Sequence, residues 1–173
     1  FIGGAKDQAA VFFIQDKSGR FTKFTDLAIT NDAAFEDITA ALFDADGDGD
    51  NDLFVGSGGY ELLPNDPLLQ NRLYLNNGHG RFVKATAALP QDLINDNAVT
   101  VADFNGDGHS DLFIGGFCVP GKYPESSGSA ILINDGKGHF VNQKEAWLKG
   151  FEQRNLVTAS VAADINKDGH PDL

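Results

Sequence analysis

The sequence predicts an all-β chain made of β-propeller blades, each of four antiparallel strands, with about three repeats of about 60 residues. Three observations predict it. An acidic loop recurs three times at an even spacing. Short runs of β-branched and apolar residues flank each copy. A tight turn reading Asn-Asn-Gly or Asn-Asp-Gly follows the first two copies, between alternating apolar runs that signal a hairpin.

The first acidic loop lies in Phe43–Leu53, FDADGDGDNDL. Asp44, Asp46, Asp48 and Asp52 hold positions 1, 3, 5 and 9, with Gly49 at position 6 and Asp50 at position 7. Asp103, Asn105, Asp107, Gly108, His109 and Asp111 repeat the pattern, and so do Asp164, Asn166, Asp168, Gly169, His170 and Asp172. The leading Asp recurs after 59 and then 61 residues. Carboxylates this close repel one another, and a bound cation relieves them. Hard oxygen ligands on a flexible loop suit Ca²⁺, so up to three structural Ca²⁺ ions are expected. Position 7 (Asp50, His109 or His170) would offer its backbone carbonyl, and the glycine at position 6 supplies the sharp turn. An EF-hand shares the opening but needs a Glu at position 12 and flanking helices. Position 12 is Val55 in the first loop and Ile114 in the second, inside apolar runs that suit strands.

In chain order, strand A precedes each loop: ITAALF (38–43), VTVA (99–102) and VTASVAA (157–163). Strand B follows and ends in glycines, FVGSGG (54–59) and FIGG (113–116); Phe1–Gly4 is FIGG again. Strands C and D form the hairpins LYLNNGHGRF (73–82) and ILINDGKGHF (131–140), with FFIQDKSGRF (12–21) as a variant of the same unit. The closing Phe stands at 21, 82 and 140. Residues 144–155, KEAWLKGFEQRN, are expected to form a short helix with Trp147 as its buried anchor.

The FxGG strand after D-x-[DN]-x-D-G-x-x-D-L resembles FG-GAP and VCBS repeats, as in integrin α propellers and many secreted bacterial proteins. The NDGxGxF hairpin is most similar to the bacterial VCBS type and to propellers related to cartilage acidic protein. The resemblance covers essentially the whole chain and implies adhesion or scaffolding.

Composition narrows the partners. The net charge of −12 argues against nucleic acid or an anionic membrane surface. Eleven of the 25 acidic residues lie in the three loops, so three Ca²⁺ ions would bring the charge to −6. No apolar stretch is long enough to insert in a membrane. Cys118 is alone, so no internal disulfide forms. Extracellular Ca²⁺ modules bind in roughly the 10⁻⁴–10⁻³ M range, which points to an extracellular, cell-surface or periplasmic location.

Residues 1–173 are expected to make one domain, with units at about 38–96 and 97–155 and split units at 1–37 and 156–173. Joined tail to head, the repeat would continue without a gap. Propellers have about four to eight blades, so the chain reads as part of a larger propeller. Head-to-tail self-association is the alternative.

Antiparallel A-B-C-D order puts the acidic loops and tight hairpins on one face. The long connections 25–37, 57–70, 86–96, 117–128 and 144–155 fall on the other. They carry Tyr60, Phe117, Tyr123, Trp147 and Phe151, expected mainly to pack between blades, and long loops on a rigid scaffold are where function concentrates. The reading is a non-catalytic, Ca²⁺-stabilised scaffold with a protein or glycan ligand on the long-loop face. The alternative is the propeller of a secreted polysaccharide lyase or hydrolase. No nucleophile, zinc or phosphate-loop motif is present, and His79 and His139 fall in hairpin turns.

Overall fold

A computed structural model describes residues 1–149 and 156–173. The elements run β1 Phe12–Gln15, β2 Phe21–Phe24, α1 Leu27–Thr30, β3 Asp37–Phe43, β4 Asp52–Ser57, β5 Arg72–Asn76, β6 Phe82–Lys84, β7 Asp96–Ala102, β8 Asp111–Gly116, β9 Ala130–Asn134, β10 Phe140–Asn142 and α2 Lys144–Trp147. Strands β3-β4-β5-β6 form one antiparallel sheet in chain order, and β7-β8-β9-β10 form a second. This is the strand order of propeller blades, as the sequence predicts. The two sheets repeat in detail: β3 pairs Phe43 with Asp52 and breaks register between Asp37 and Thr39. Likewise β7 pairs Ala102 with Asp111 and breaks between Asp96 and Ala98.

The split units are partly formed. β1 and β2 make the outer hairpin of the first, and Ile2 bridges to Val11 where its strand B should lie. Residues 157–163 form only the Ala163–Asp172 bridge. In the complete units, strand A pairs along strand B, Thr39–Phe43 with Asp52–Gly56 and Ala98–Ala102 with Asp111–Gly115.

Strand B explains the packing. Leu53, Phe54 and Val55 are consecutive and all fully buried. Alternate side chains of a strand point to opposite faces. Phe54 therefore enters the core between the two blades, with Phe43, Leu73, Leu112, Ile114 and Phe140. Leu53 and Val55 enter a separate cluster with Tyr74, shared with Phe1 and Phe12 of the first unit. Phe113 faces a third cluster with Val157. Each blade is thus buried on both faces, which is why strand B reads as an unbroken apolar run.

Close blade contact requires the strand B glycines. A Cβ on Gly3 would stand 2.7 Å from Asp37 Cβ, and one on Gly56 would stand 2.6 Å from Asp96 Oδ2. Gly115 meets Val157 in the same way. Each glycine seats the first residue of the next strand A. Asp37 satisfies its carboxylate there: Gly4 N donates to Oδ2 at 2.8 Å, and Arg72 Nη2 lies 2.6 Å from Oδ1. Asp96 is buried at 1% exposure, and neither oxygen makes a hydrogen bond.

The connections correct several expectations. Tyr60 and Tyr123 do not pack between blades; they are 63% and 70% exposed, and Tyr60 meets Phe117 edge-on. Trp147 is 43% exposed, and Leu148 packs against the core instead. The helix ends at Trp147. Residues 150–155 of the expected helix, Phe151 among them, lie outside the described residues. The 25–37 connection contains α1, capped by Asp26, whose side chain accepts from Ala28 N.

Burial pushes the Asp96 carboxyl well above the usual range; the nearby Asn71 side chain opposes the shift and Asp92 adds to it. A raised folded pKa means that Asp96 contributes stability below its unfolded value of about 4, lost as pH rises. Asp96→Val, which installs the residue found at 157, is expected to raise the melting temperature at pH 7. The variant's stability should also decline less than the parent's between pH 4 and pH 7. Thermal melts across that range check both outcomes.

Candidate metal centre

The acidic loops are the corners between strands A and B. In the first, ligand atoms of Asp44, Asp46 and Asp48 lie within 4.8 Å of one another. The loop's own backbone holds them there. Asp44 accepts from Gly47 N at 2.8 Å and from Gly49 N at 3.0 Å, and Asp48 accepts from Asp50 N at 2.9 Å. In the second, Asp103 accepts from Gly106 N and Gly108 N, and Asp107 accepts from His109 N. In the third, Asp164 accepts from Lys167 N and Gly169 N, and Asp168 from His170 N. All three corners therefore have one shape.

That shape needs left-handed backbone at position 6: φ is +91° at Gly49, +88° at Gly108 and +90° at Gly169. Position 4 also needs it, and there the third loop departs. Gly47 and Gly106 give way to Lys167 at φ +64°, a conformation costing a non-glycine residue about 1 kcal/mol.

Position 9 has a role the sequence reading missed. Asp52 is fully buried; its Oδ2 accepts from Ala45 N at 2.8 Å, and its Oδ1 from Asn76 N at 2.7 Å. Asp111 does the same with Phe104 N and Asn134 N. Asp172 accepts from Ile165 N. The position 9 carboxylate thus clamps its own loop and ties it to strand C. Asn76 and Asn134 complete the tie by donating to Asn51 O and Ser110 O. Asn134 also donates to Ala45 O at 2.9 Å, linking the corners of the two blades. The recurrence of Asn at the start of both hairpins was the available signal.

The position 7 side chains pack rather than point at the cluster. Asp50 lies against Gly78 of its own blade's hairpin and His109 against Gly136, while His170 approaches Gly106 of the second loop.

The electrostatics separate the loops. Burial first, then crowding by Asp48 and Asp44, raises the Asp46 carboxyl. Position 3 in the other loops is Asn, and Asn105 donates to Asp107 Oδ2 at 2.7 Å. The His109 backbone N–H, then the Asn105 amide, lower Asp107; His170 and Asn166 do the same for Asp168. Burial raises Asp52 and Asp111 against the pull of their backbone donors. The first corner therefore carries the most unrelieved negative charge. Its donor set is all oxygen, closely spaced and carboxylate-rich, which fits Ca²⁺.

The far face holds a cavity of about 470 Å³ among the long connections, lined by Phe35, Gln70, Arg72, Lys84, Thr86 and Leu89 among others. No helix among the described residues is long and apolar enough to cross a membrane.

With the blades and corners in place, comparison with known families gives one result: residues 44–114 match the FG-GAP-like repeat. That segment starts at the first Asp of one corner and ends in strand B of the next blade, so it spans one full period. No curated protein matches the chain significantly.

Asp52→Ala or Asp111→Ala removes the clamp and leaves two backbone donors without partners. The expected loss is about 2 kcal/mol or more, in the presence of chelator. Asp48→Ala, at an exposed position, is expected to lose less under the same conditions. Urea unfolding of the three variants checks the order.

Proposed function

We propose that the chain is a Ca²⁺-stabilised, non-catalytic binding scaffold, with the acidic corners as structural metal sites and the long-loop face as the ligand face. The observation that carries the reading is the Asp44–Asp46–Asp48 cluster, held by backbone donors in the same loop shape that recurs at 103–111 and 164–172. Asp44, Asp46, Asp48 and the Asp50 carbonyl would hold the first ion. Asp103, Asn105, Asp107 and the His109 carbonyl would hold the second, and Asp164, Asn166, Asp168 and the His170 carbonyl the third. Asp52, Asp111 and Asp172 shape the loops and would lend what coordination their backbone bonds leave. The ion would neutralise charge that the fold concentrates at each corner.

The FG-GAP-like repeat supports a β-propeller-type domain of the kind often used in binding or adhesion. An extracellular, cell-surface or periplasmic location is part of the same proposal, because weak Ca²⁺ sites fill only where calcium is abundant. A protein or glycan ligand would meet the exposed Tyr60 and Tyr123 of the long connections.

Ca²⁺ binding to the folded state alone is expected to raise the melting temperature. At a hundredfold excess over Kd one site contributes about 2.7 kcal/mol. The first corner, with the most carboxylates, is expected to bind tightest, and Asp46→Asn should bring its affinity toward that of the second. Calorimetric Ca²⁺ titration of both proteins checks this; equal affinities at all three corners would contradict the ranking.

A further inference from the structure

A buried side chain, Asn134, joins the first and second acidic corners. It ends β9 and is 2% exposed. Its Nδ2 donates to Ala45 O at 2.9 Å and to Ser110 O at 3.1 Å. Its Oδ1 accepts from Gly136 N at 3.0 Å, and its backbone N–H goes to Asp111 Oδ1 at 2.8 Å. With both amide protons and the oxygen engaged, the side chain is fixed in place.

The groups it holds belong to both loops. Ala45 is position 2 of the first corner, and its carbonyl is part of the peptide unit that carries Asp46. Ser110 is position 8 of the second corner, and its carbonyl is part of the peptide unit that carries Asp111. The hairpin after Asn134 touches both corners as well. A Cβ on Gly138 would stand 3.5 Å from Asp46 Cβ, and one on Gly47 would stand 3.2 Å from Gly136 O. On the other side, a Cβ on Gly136 would stand 2.5 Å from the His109 ring. The equivalent Asn76 ties its own corner through Asn51 O, and its Oδ1 makes no hydrogen bond. The third corner meets the second through His170 packing at Gly106.

We propose that Asn134 couples the first two corners, so that Ca²⁺ held at the first tightens the second. The proposal rests on the reading of the corners as Ca²⁺ sites. An empty corner is strained by its own carboxylates, and one amide passes that strain between the loops through the two carbonyls it holds. An ion at the first corner would settle the Ala45–Asp46 peptide, and with it Asn134, Ser110 and the Asp111 clamp. The second ion then has less left to order. Direct repulsion between the ions acts the other way, and salt screens it over about 8 Å at physiological ionic strength. The sign of the coupling therefore separates the amide bridge from the field.

The test is a Ca²⁺ titration of the full chain, followed by the amide resonances of Gly49, Gly108 and Gly169. Each of these donates to the leading Asp of its own corner. Asp48→Ala, at an exposed position, takes a ligand from the first corner, which should then fill last. In that variant the second corner, read at Gly108, is expected to bind about fivefold more weakly than in the parent. The lost ion carries two positive charges and the lost side chain one negative, so the field alone would tighten the second corner. Asn134→Ser keeps an acceptor for Gly136 N and gives up both carbonyl contacts. In its background Asp48→Ala should leave the second corner unchanged or tighter. In the parent, the Asn134 Nδ2 resonances should shift as the first corner fills, before Gly108 responds; this readout stands should Asn134→Ser fail to fold. A second corner unchanged or tightened by Asp48→Ala alone would overturn the proposal. So would a loss that persists in Asn134→Ser, or Asn134 resonances that stay still as the first corner fills. If the corners bind Ca²⁺ independently, the coupling falls and the scaffold reading stands; if none binds, both fall.

Discussion

Burial of each blade on both faces is the constraint from which the other features follow. Leu53, Phe54 and Val55 are consecutive and fully enclosed, so an unpaired polar group inside a blade is costly, and Asp96 is the exception. Chemistry is driven to the corners and connections, where the backbone leaves the ladder. There the carboxylates of one loop crowd together, supported by the backbone N–H groups that the same turn exposes. The opposite end collects long connections, and these help to line a cavity.

The same constraint sets the seam. Neighbouring blades approach closely only where strand B lacks a side chain, at Gly3, Gly56 and Gly115. What faces those glycines differs from unit to unit. Asp37 is matched by Arg72 and a backbone donor, Val157 avoids the problem, and Asp96 has no hydrogen-bonding partner for either oxygen. Seating alone defines this position, so the repeat tolerates different chemistry there.

Local features were legible in the sequence, and assembled ones were not. Spacing alone located the corners, because a turn that brings positions 1, 3 and 5 together needs glycine at position 6, and all three copies have it. The hairpins were equally plain from Asn-Asn-Gly and Asn-Asp-Gly. The part played by Asp52 and Asp111 was hidden, since the donors Asn76 N and Asn134 N come from strand C, 24 and 23 residues away. The exposure of Trp147, Tyr60 and Tyr123 was hidden too, because an aromatic in a long connection looks the same whether the next blade reaches it or not. The cavity depends on Phe35, Arg72 and Lys84 arriving from different connections and strands, and no local pattern announces that.

The backbone clamp at position 9 bears on how an ion would be taken up. Asp52 and Asp111 already fix the corners to strand C through amide donors, so most of the loop's ordering is complete when the blade forms. Uptake would then resemble the filling of a moulded cup more than the nucleation of structure round a metal, and withdrawal would leave an intact but electrostatically tense bend.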